Sequence, residues 1–478
     1  MAIARKIAYN IVISSTTKIL STAIALVSIG LITRHLGKDG FGEYATVLAF
    51  FSFFMAISDF GLHTVAAREI SRKDANEEKT MGNVFTLRLI ISSIFLLLSP
   101  IIVMLLPYQN DVKTAIVLIA VAFFFSSNYI VLNGIFQKNI AMDRVAIVEF
   151  VGKLIQIAII IIAVMKGWGM IAIVSSITAT MVFNFCAVFF LSRKFLKFSL
   201  KIDLPYWKTF LAQSIPMGIS TLIVFSYLKM DTIILSFMKT STEVGLYNAA
   251  YKIIDTLVFF PAMVVGLVLP LLSRHIFTNK EKFEEIGNKT IKIFAVCTIP
   301  LMIGTLFLAE DIITIIGGPD FVASANALRI LILALGAIFF GHFFNYVLLA
   351  ANLQKRLMIA LGCIAVFNIT TNLLVIPTYS YMGAAVTSLI TETLVVIVTV
   401  VIVIKKIGYT PKIEKFGAMV FSSICMAGVL FLLQKAPFLV AGGASALTYF
   451  IALWATKTIS KEEIQSIIAK KPTSTEVS

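Results

Sequence analysis

Ala146-Ile-Val-Glu-Phe-Val-Gly-Lys-Leu-Ile-Gln-Ile-Ala-Ile-Ile-Ile-Ile-Ala-Val-Met165 is a run of twenty residues in which charge appears only at Glu149 and Lys153. At 1.5 Å per helical residue it reaches about 30 Å, the thickness of the hydrocarbon layer of a bilayer. It lacks the apolar-polar alternation of a barrel strand, and a continuous helix satisfies every backbone N–H and C=O inside lipid. Thirteen more such runs lie around it, at 11–33, 43–65, 83–106, 114–134, 169–191, 209–238, 244–268, 291–309, 322–350, 357–376, 381–404, 413–433 and 436–456. Composition agrees, since 59% of the 478 residues are hydrophobic and 14% charged, against roughly 25% charged in an ordinary soluble domain. The expected fold class is an all-α integral membrane protein with about 14 transmembrane helices.

The first run follows Arg5 and Lys6 but is too long for a signal peptide, and Leu31-Ile32-Thr33-Arg34 lacks a small-residue cleavage pattern. The formal charge of +15 points to nucleic acid only if it is clustered on a soluble face. Instead it follows the loops. Counting Lys292 and Lys415 with the loops they adjoin, 28 of the 40 Lys and Arg residues fall on the side of the N-terminus, six on the other side and six inside runs. By the positive-inside rule both termini are cytoplasmic, in a multi-pass protein of the plasma or inner membrane, and nucleic-acid binding is not expected. Cys186, Cys297, Cys363 and Cys425 sit in four different runs, so no thiol pair has metal or disulfide spacing.

The longest connections, around 193–208 and 271–290, leave no room for a soluble catalytic domain. Neither Gly37-Lys38 nor Gly152-Lys153 has the earlier glycine and following hydroxyl of a P-loop. No HExxH or GxSxG occurs, and His35, His63, His275 and His342 are scattered. No catalytic residue, metal site or cofactor is therefore expected, and the chain is read as a non-enzyme. Phe41-Gly42-Glu43-Tyr44 matches Val244-Gly245-Leu246-Tyr247 at an offset of 203. An even number of crossings separates the two, so the repeats run parallel, as in transporters with an axis along the membrane normal. The expected organisation is two six-helix lobes, 1–200 and 201–408, an extra helix pair at 409–457 and a cytoplasmic tail at 458–478.

Arg34-His-Leu-Gly-Lys-Asp-Gly-Phe-Gly-Glu-Tyr44, Ser58-Asp-Phe-Gly-Leu62 and Ala67-Arg-Glu-Ile-Ser71 resemble the opening of the oligosaccharide flippases of polysaccharide biosynthesis. Asp231-Thr-Ile-Ile-Leu235 and Glu243-Val-Gly-Leu-Tyr-Asn-Ala-Ala-Tyr251, with Pro261 and Pro270 downstream, are similar to that family's seventh and eighth helices. The resemblance implies membership of the multidrug, oligosaccharidyl-lipid and polysaccharide exporter superfamily, with two lobes around a central cavity. It also implies movement of polyprenyl-pyrophosphate-linked sugars from the cytoplasmic to the outer leaflet.

Ionisable groups at bilayer depth cost roughly 2.5–3.5 kcal/mol each and need a partner, a wet cavity or a route to the interface. Lys18, Arg88, Lys153, Lys229, Lys252 and Arg329 are such cations. Arg88 and Arg329 lie near enough to run ends to snorkel. Glu149 with Lys153, and Lys252 with Asp255, are spaced to pair along their own helices. Lys18 has no acid within a turn, so its charge must be met from another helix, from water or from a substrate anion. Lys18, Lys229, Lys252, Lys153 and Arg88 are thus the candidate pyrophosphate ligands, since ammonium groups attract a multiply charged anion without a fixed fork geometry. Against this stands a purely structural ion-pair network. Glu392, Asp231, Asp255 and Glu149 are the candidate ion-coupling or charge-partner acids, and Asp59 reads as a partner of Arg68 or a cap. Pro216, Pro261 and Pro300 remove backbone donors inside runs of the second lobe, where kinks can act as hinges.

The expected function is an alternating-access flippase for lipid-linked oligosaccharide, serving cell-surface polysaccharide synthesis. Its partners are the polyprenyl-linked sugar, membrane lipids and a polysaccharide polymerase or glycosyltransferase. One rival is a multidrug or small-molecule cation antiporter of the same architecture, whose cavity should be acidic. Another is a membrane-embedded polysaccharide polymerase, which the short loops disfavour.

Overall fold

The computed structural model describes residues 2–72 and 74–458; the side chains of residues 2–8, 11, 12 and 59 fall outside that description. The Asp59 side chain and the residues beyond Thr458 therefore lie outside that description. Among the described residues 87% are helical and none lies in a strand. Among the described residues, eleven helices are long and apolar enough to cross a membrane.

The elements run in order as α1 (Ala2–Asp59), α2 (Leu62–Ile70), α3 (Glu77–Met104), α4 (Asn110–Lys138), α5 (Met142–Met165), α6 (Met170–Ser192) and α7 (Leu204–Met238). There follow α8 (Ser241–Leu257), α9 (Phe259–His275), α10 (Lys280–Gly317), α11 (Ser324–Ala350), α12 (Gln354–Ile407), α13 (Phe416–Leu432) and α14 (Phe438–Ala455). The apolar stretch of α1, Ile13–Ser58, has 46 residues, about 70 Å of helix and twice what a bilayer needs. It breaks at Gly37, whose φ of 65° is open to glycine at little cost. The 54 residues of α12 break likewise at Ser380, three residues after Pro377. Each therefore supplies two crossings, and α13 adds a shorter apolar helix of 17 residues. The fourteen runs expected from the sequence thus fall on helix, the run 43–65 being broken at Phe60 and Gly61 between α1 and α2 and the run 244–268 between α8 and α9.

The prolines divide. α8 and α9 are halves of one crossing, interrupted at Val258, where Pro261 has no N–H to give the carbonyl one turn back. Pro216 and Pro300 lie inside α7 and α10 without a non-helical residue at the proline; the irregular residue of α10 is Leu308.

Two compact units emerge. The first joins Met1–Thr256, Ile313–Ser324 and Leu361–Thr391; the second joins Leu257–Ile312, Ala325–Ala360 and Glu392–Ser478. In the first, α4 packs against α3 and α6, and Leu62, Val84, Leu132, Phe136 and Val188 form part of a dry core. In the second, Met419, Met426, Tyr449 and Leu453 pack on Ala295, and the Tyr449 hydroxyl donates to the Val296 carbonyl at 3.1 Å. Large apolar side chains remain bare on the outside, Leu97 at 73% and Leu432 at 82% exposure, as expected of surface that faces acyl chains.

The repeat has a physical counterpart in the first unit. A Cβ placed on Gly42 would lie 1.7 Å from the Ser241 carbonyl oxygen, and one on Gly245 would lie 2.2 Å from that of Lys38. An offset of 203 carries Lys38 to Ser241 and Gly42 to Gly245, so the two contacts are the same contact taken in both directions. Between them Thr242 donates to Asp39, a pair that the same offset relates to itself. Reciprocity of this kind is the mark of a local two-fold axis. It also explains the glycines, since only small residues let two helix backbones approach so closely.

Candidate functional site

The first unit bears an open cavity of about 290 Å³. One part of its wall is apolar: Ile29, Ile32, Leu48, Phe51, Ile160 and Met181, from α1, α5 and α6. Another part is polar: Lys153 and Gln156 from α5, and Lys252, Asp255 and Thr256 from α8. Helical spacing produces this, because Lys153, Gln156 and Ile160 are three and four residues apart and share one face of α5, as Lys252, Asp255 and Thr256 do on α8.

The charges are partnered unequally. Lys229, reaching across from α7, donates to both oxygens of Asp255 at 2.7 and 2.6 Å, while its ammonium sits 4.5 Å from the centre of the Tyr251 ring. Lys252 approaches the same carboxylate at 3.6 Å. Lys153 does not pair with Glu149, one turn away; its amine donates to the neutral Gln156 amide at 2.7 Å. Glu149 accepts from the Tyr129 hydroxyl at 3.2 Å and lies within electrostatic reach of Lys18. The charges of Lys252 and Lys18 both act on Lys153. Three lysine side chains, Lys153, Lys229 and Lys252, thus stand against one contacting carboxylate, Asp255.

The other expected residues fall elsewhere. Arg88 is 1% exposed, off the cavity wall, and donates to the carbonyls of Ser58 and Ser127, so it joins α3 to α1 and α4 and does not snorkel. Arg329 pairs with Glu310 at 3.0 Å. Arg68 bonds Glu69 and Gln213. Asp231 is 2% exposed and accepts from the Tyr247 hydroxyl, from the Thr232 N–H at 2.6 Å and, at 3.4 Å, from Ser388. Tyr247 stacks on Tyr251 at 5.5 Å, so a continuous polar and aromatic network runs from Ser388 through Asp231, Tyr247 and Tyr251 to Lys229 and Asp255. Glu392, 7% exposed on the second half of α12, belongs to the second unit.

Sequence reasoning overlooked Gln156, Tyr129, Tyr247 and Tyr251. Gln156 carried a usable signal, being the one uncharged polar side chain in an apolar run and one turn from Lys153. Tyr129 carried none, because its partner Glu149 is on another helix.

Residues 7–276, more than half of the chain, match the family described as polysaccharide biosynthesis protein. The chain belongs to that family. Residues 216–374 also match the MatE family. It is similar to the probable flippase AglR of Haloferax volcanii, with 24% identity over 469 residues, covering 93% of this chain and 95% of that one. It is also similar to the putative O-antigen transporter of Shigella flexneri, with 26% identity over 344 residues, 68% of this chain and 79% of the other. Among solved structures, the lipid II flippase MurJ in an inward closed conformation superimposes with a TM-score of 0.78 at 16% identity, covering 94% of this chain and all of that one. That likeness establishes the fold this family member shares with a membrane transporter.

Proposed function

We propose that the protein is a flippase that carries polyprenyl-pyrophosphate-linked oligosaccharide from the cytoplasmic to the outer leaflet. The observation that carries this reading is the composition of the cavity wall: the lysine side chains of Lys153 and Lys252 beside a broad apolar face. An anionic head attached to an isoprenoid has that same division. Its similarity to the probable flippase of Haloferax volcanii and the putative O-antigen transporter of Shigella flexneri supports the same class of cargo.

In this reading the lobes 1–200 and 201–408 rock about the Gly42–Gly245 crossing, and the helix pair 409–457 stands outside the motion. The termini face the cytoplasm of a plasma or inner membrane, in keeping with the distribution of Lys and Arg. No covalent step occurs. Lys18 attracts the incoming anion, Lys153 and Lys252 contact it, and Lys229 and Arg88 support the framework. An inside-negative potential favours outward movement of an anionic head by about 2.3 kcal/mol per charge per 100 mV. Glu392 and Asp231 are the acids through which a cation gradient would couple, and a polymerase or glycosyltransferase would take up or supply the lipid-linked glycan.

Purified protein in proteoliposomes, supplied with a fluorescent isoprenyl-diphosphate sugar in the inner leaflet, is expected to expose it to an impermeant outer quencher. A cation antiporter is the second reading, favoured by the MatE match over 216–374. Export of organic cations with no leaflet transfer of the lipid-linked sugar would establish that alternative.

A further inference from the structure

Asp255 occupies an unusual position for a structural counter-ion. Its two oxygens are already satisfied by Lys229 at 2.7 and 2.6 Å, and Lys229 is fixed in turn by the Tyr251 ring. Neutralising Lys229 requires nothing more. Yet the same carboxylate lines the cavity beside Lys252, one turn away on α8, and holds its ammonium at the looser distance of 3.6 Å. A carboxylate and a phosphoryl group are equivalent acceptors for an ammonium group, so an anion that comes to Lys252 meets a competitor already bound to it.

We propose that Asp255 is a resident counter-anion, which yields Lys252 to the diphosphate of the substrate and reclaims it as the substrate leaves. This rests on the flippase reading. Lys229 makes the exchange cheap, because its bidentate contact keeps Asp255 paired when Lys252 turns to the substrate; a buried carboxylate abandoned outright would suffer a large desolvation penalty. Asp255 thereby sets how tightly the cavity holds its cargo. A carrier needs this, since an anion gripped by unopposed lysines enters readily and leaves slowly. The deeper acid Asp231 does not compete, because its oxygens are committed to Tyr247, Thr232 and Ser388 away from the cavity wall.

The test is binding of farnesyl diphosphate to the full-length protein in lipid nanodiscs, followed by transfer of a lipid-diphosphate sugar in proteoliposomes. Asp255→Asn is expected to bind about tenfold tighter, the scale of one charge-assisted contact regained, and to transfer more slowly. Lys229→Gln combined with Asp255→Asn removes one charge of each sign, so neither partner of that bidentate pair is stranded and only Lys252 loses its carboxylate. This variant keeps the wild-type net charge and is also expected to bind more tightly than wild type. It answers the question even if the single variant fails to fold. Wild-type affinity in the charge-neutral pair would assign any tightening in the single variant to net charge and overturn the proposal. Weaker binding in either variant, at an unchanged melting temperature, would overturn it by making Asp255 a mere support. Should wild type bind farnesyl diphosphate, lose it on Lys153→Gln/Lys252→Gln, and show no change on Asp255→Asn, only the counter-anion idea fails. Absence of saturable binding to wild type would sink the flippase reading itself.

Discussion

Lys153→Gln combined with Lys252→Gln is expected to lower leaflet transfer of an isoprenyl-diphosphate sugar by about 100-fold or more while the protein stays folded. Hydrogen bonds to charged groups contribute about 1.5–3 kcal/mol each, and every 1.4 kcal/mol is a factor of ten, so two lost contacts reach that range. Folding is expected to survive because neither substitution strands a carboxylate: Lys153 bonds a neutral amide, and Asp255 keeps Lys229. Lys229→Gln separates the two roles. It leaves Asp255 with only the looser Lys252 contact and is expected to lower the melting temperature of the protein. Lys166→Gln, at the C-terminal end of α5, is expected to transfer as wild type does. Transfer rates in proteoliposomes and thermal unfolding in detergent check all three.

Gly42→Val, and equally Gly245→Val, is expected to abolish transfer. The first Cβ would stand 1.7 Å from the Ser241 carbonyl oxygen and the second 2.2 Å from that of Lys38, and both obstructing atoms belong to backbone. Relief requires α1 and α8 to part by about 1.5 Å, a gap at which van der Waals attraction across the crossing falls by a quarter to a half or more. The reciprocal geometry makes a sharper claim. Because both glycines serve one crossing, the double variant is expected to be hardly worse than either single one, a strong failure of additivity. Gly443→Val, on α14 with no atom within 4 Å of its Cβ position, is the tolerated control. Monodisperse yield together with transfer rate decides the comparison; a fully active Gly42→Val protein would remove the crossing from the mechanism.

Much of this was legible before any coordinates, and the reasons are physical. Lipid imposes a single length on apolar helices, so the run from Ala146 to Met165 and its thirteen counterparts could be read from hydropathy alone. The offset between Gly42 and Gly245 gave the repeat, although four residues could not reveal that the two copies touch each other. Local pairs were harder. The spacing of Lys252 and Asp255 correctly anticipated their contact, yet the same logic joined Glu149 to Lys153, where Tyr129 of α4 takes the acid and Gln156, three residues further along α5, takes the base. Arg88 misled because its distance from a helix end says nothing of what surrounds it. Carbonyls of Ser58 and Ser127, from two other helices, hold it in the interior. Lys229 lies deep in its run as expected, but a sequence does not disclose that an acid from the next helix occupies both of its nearest approaches.

The most direct test of the cationic cavity is photolabelling. An isoprenyl diphosphate bearing a diazirine on its tail, photolysed on the full-length protein in nanodiscs, can be mapped by mass spectrometry of the labelled peptides. The expected result is labelling at the apolar wall, at Ile160, Ile177 and Met181, competed by unlabelled diphosphate and lost in the Lys153→Gln/Lys252→Gln variant. Label confined to outward side chains such as Leu97 and Leu432, or undiminished when both lysines are gone, would contradict it.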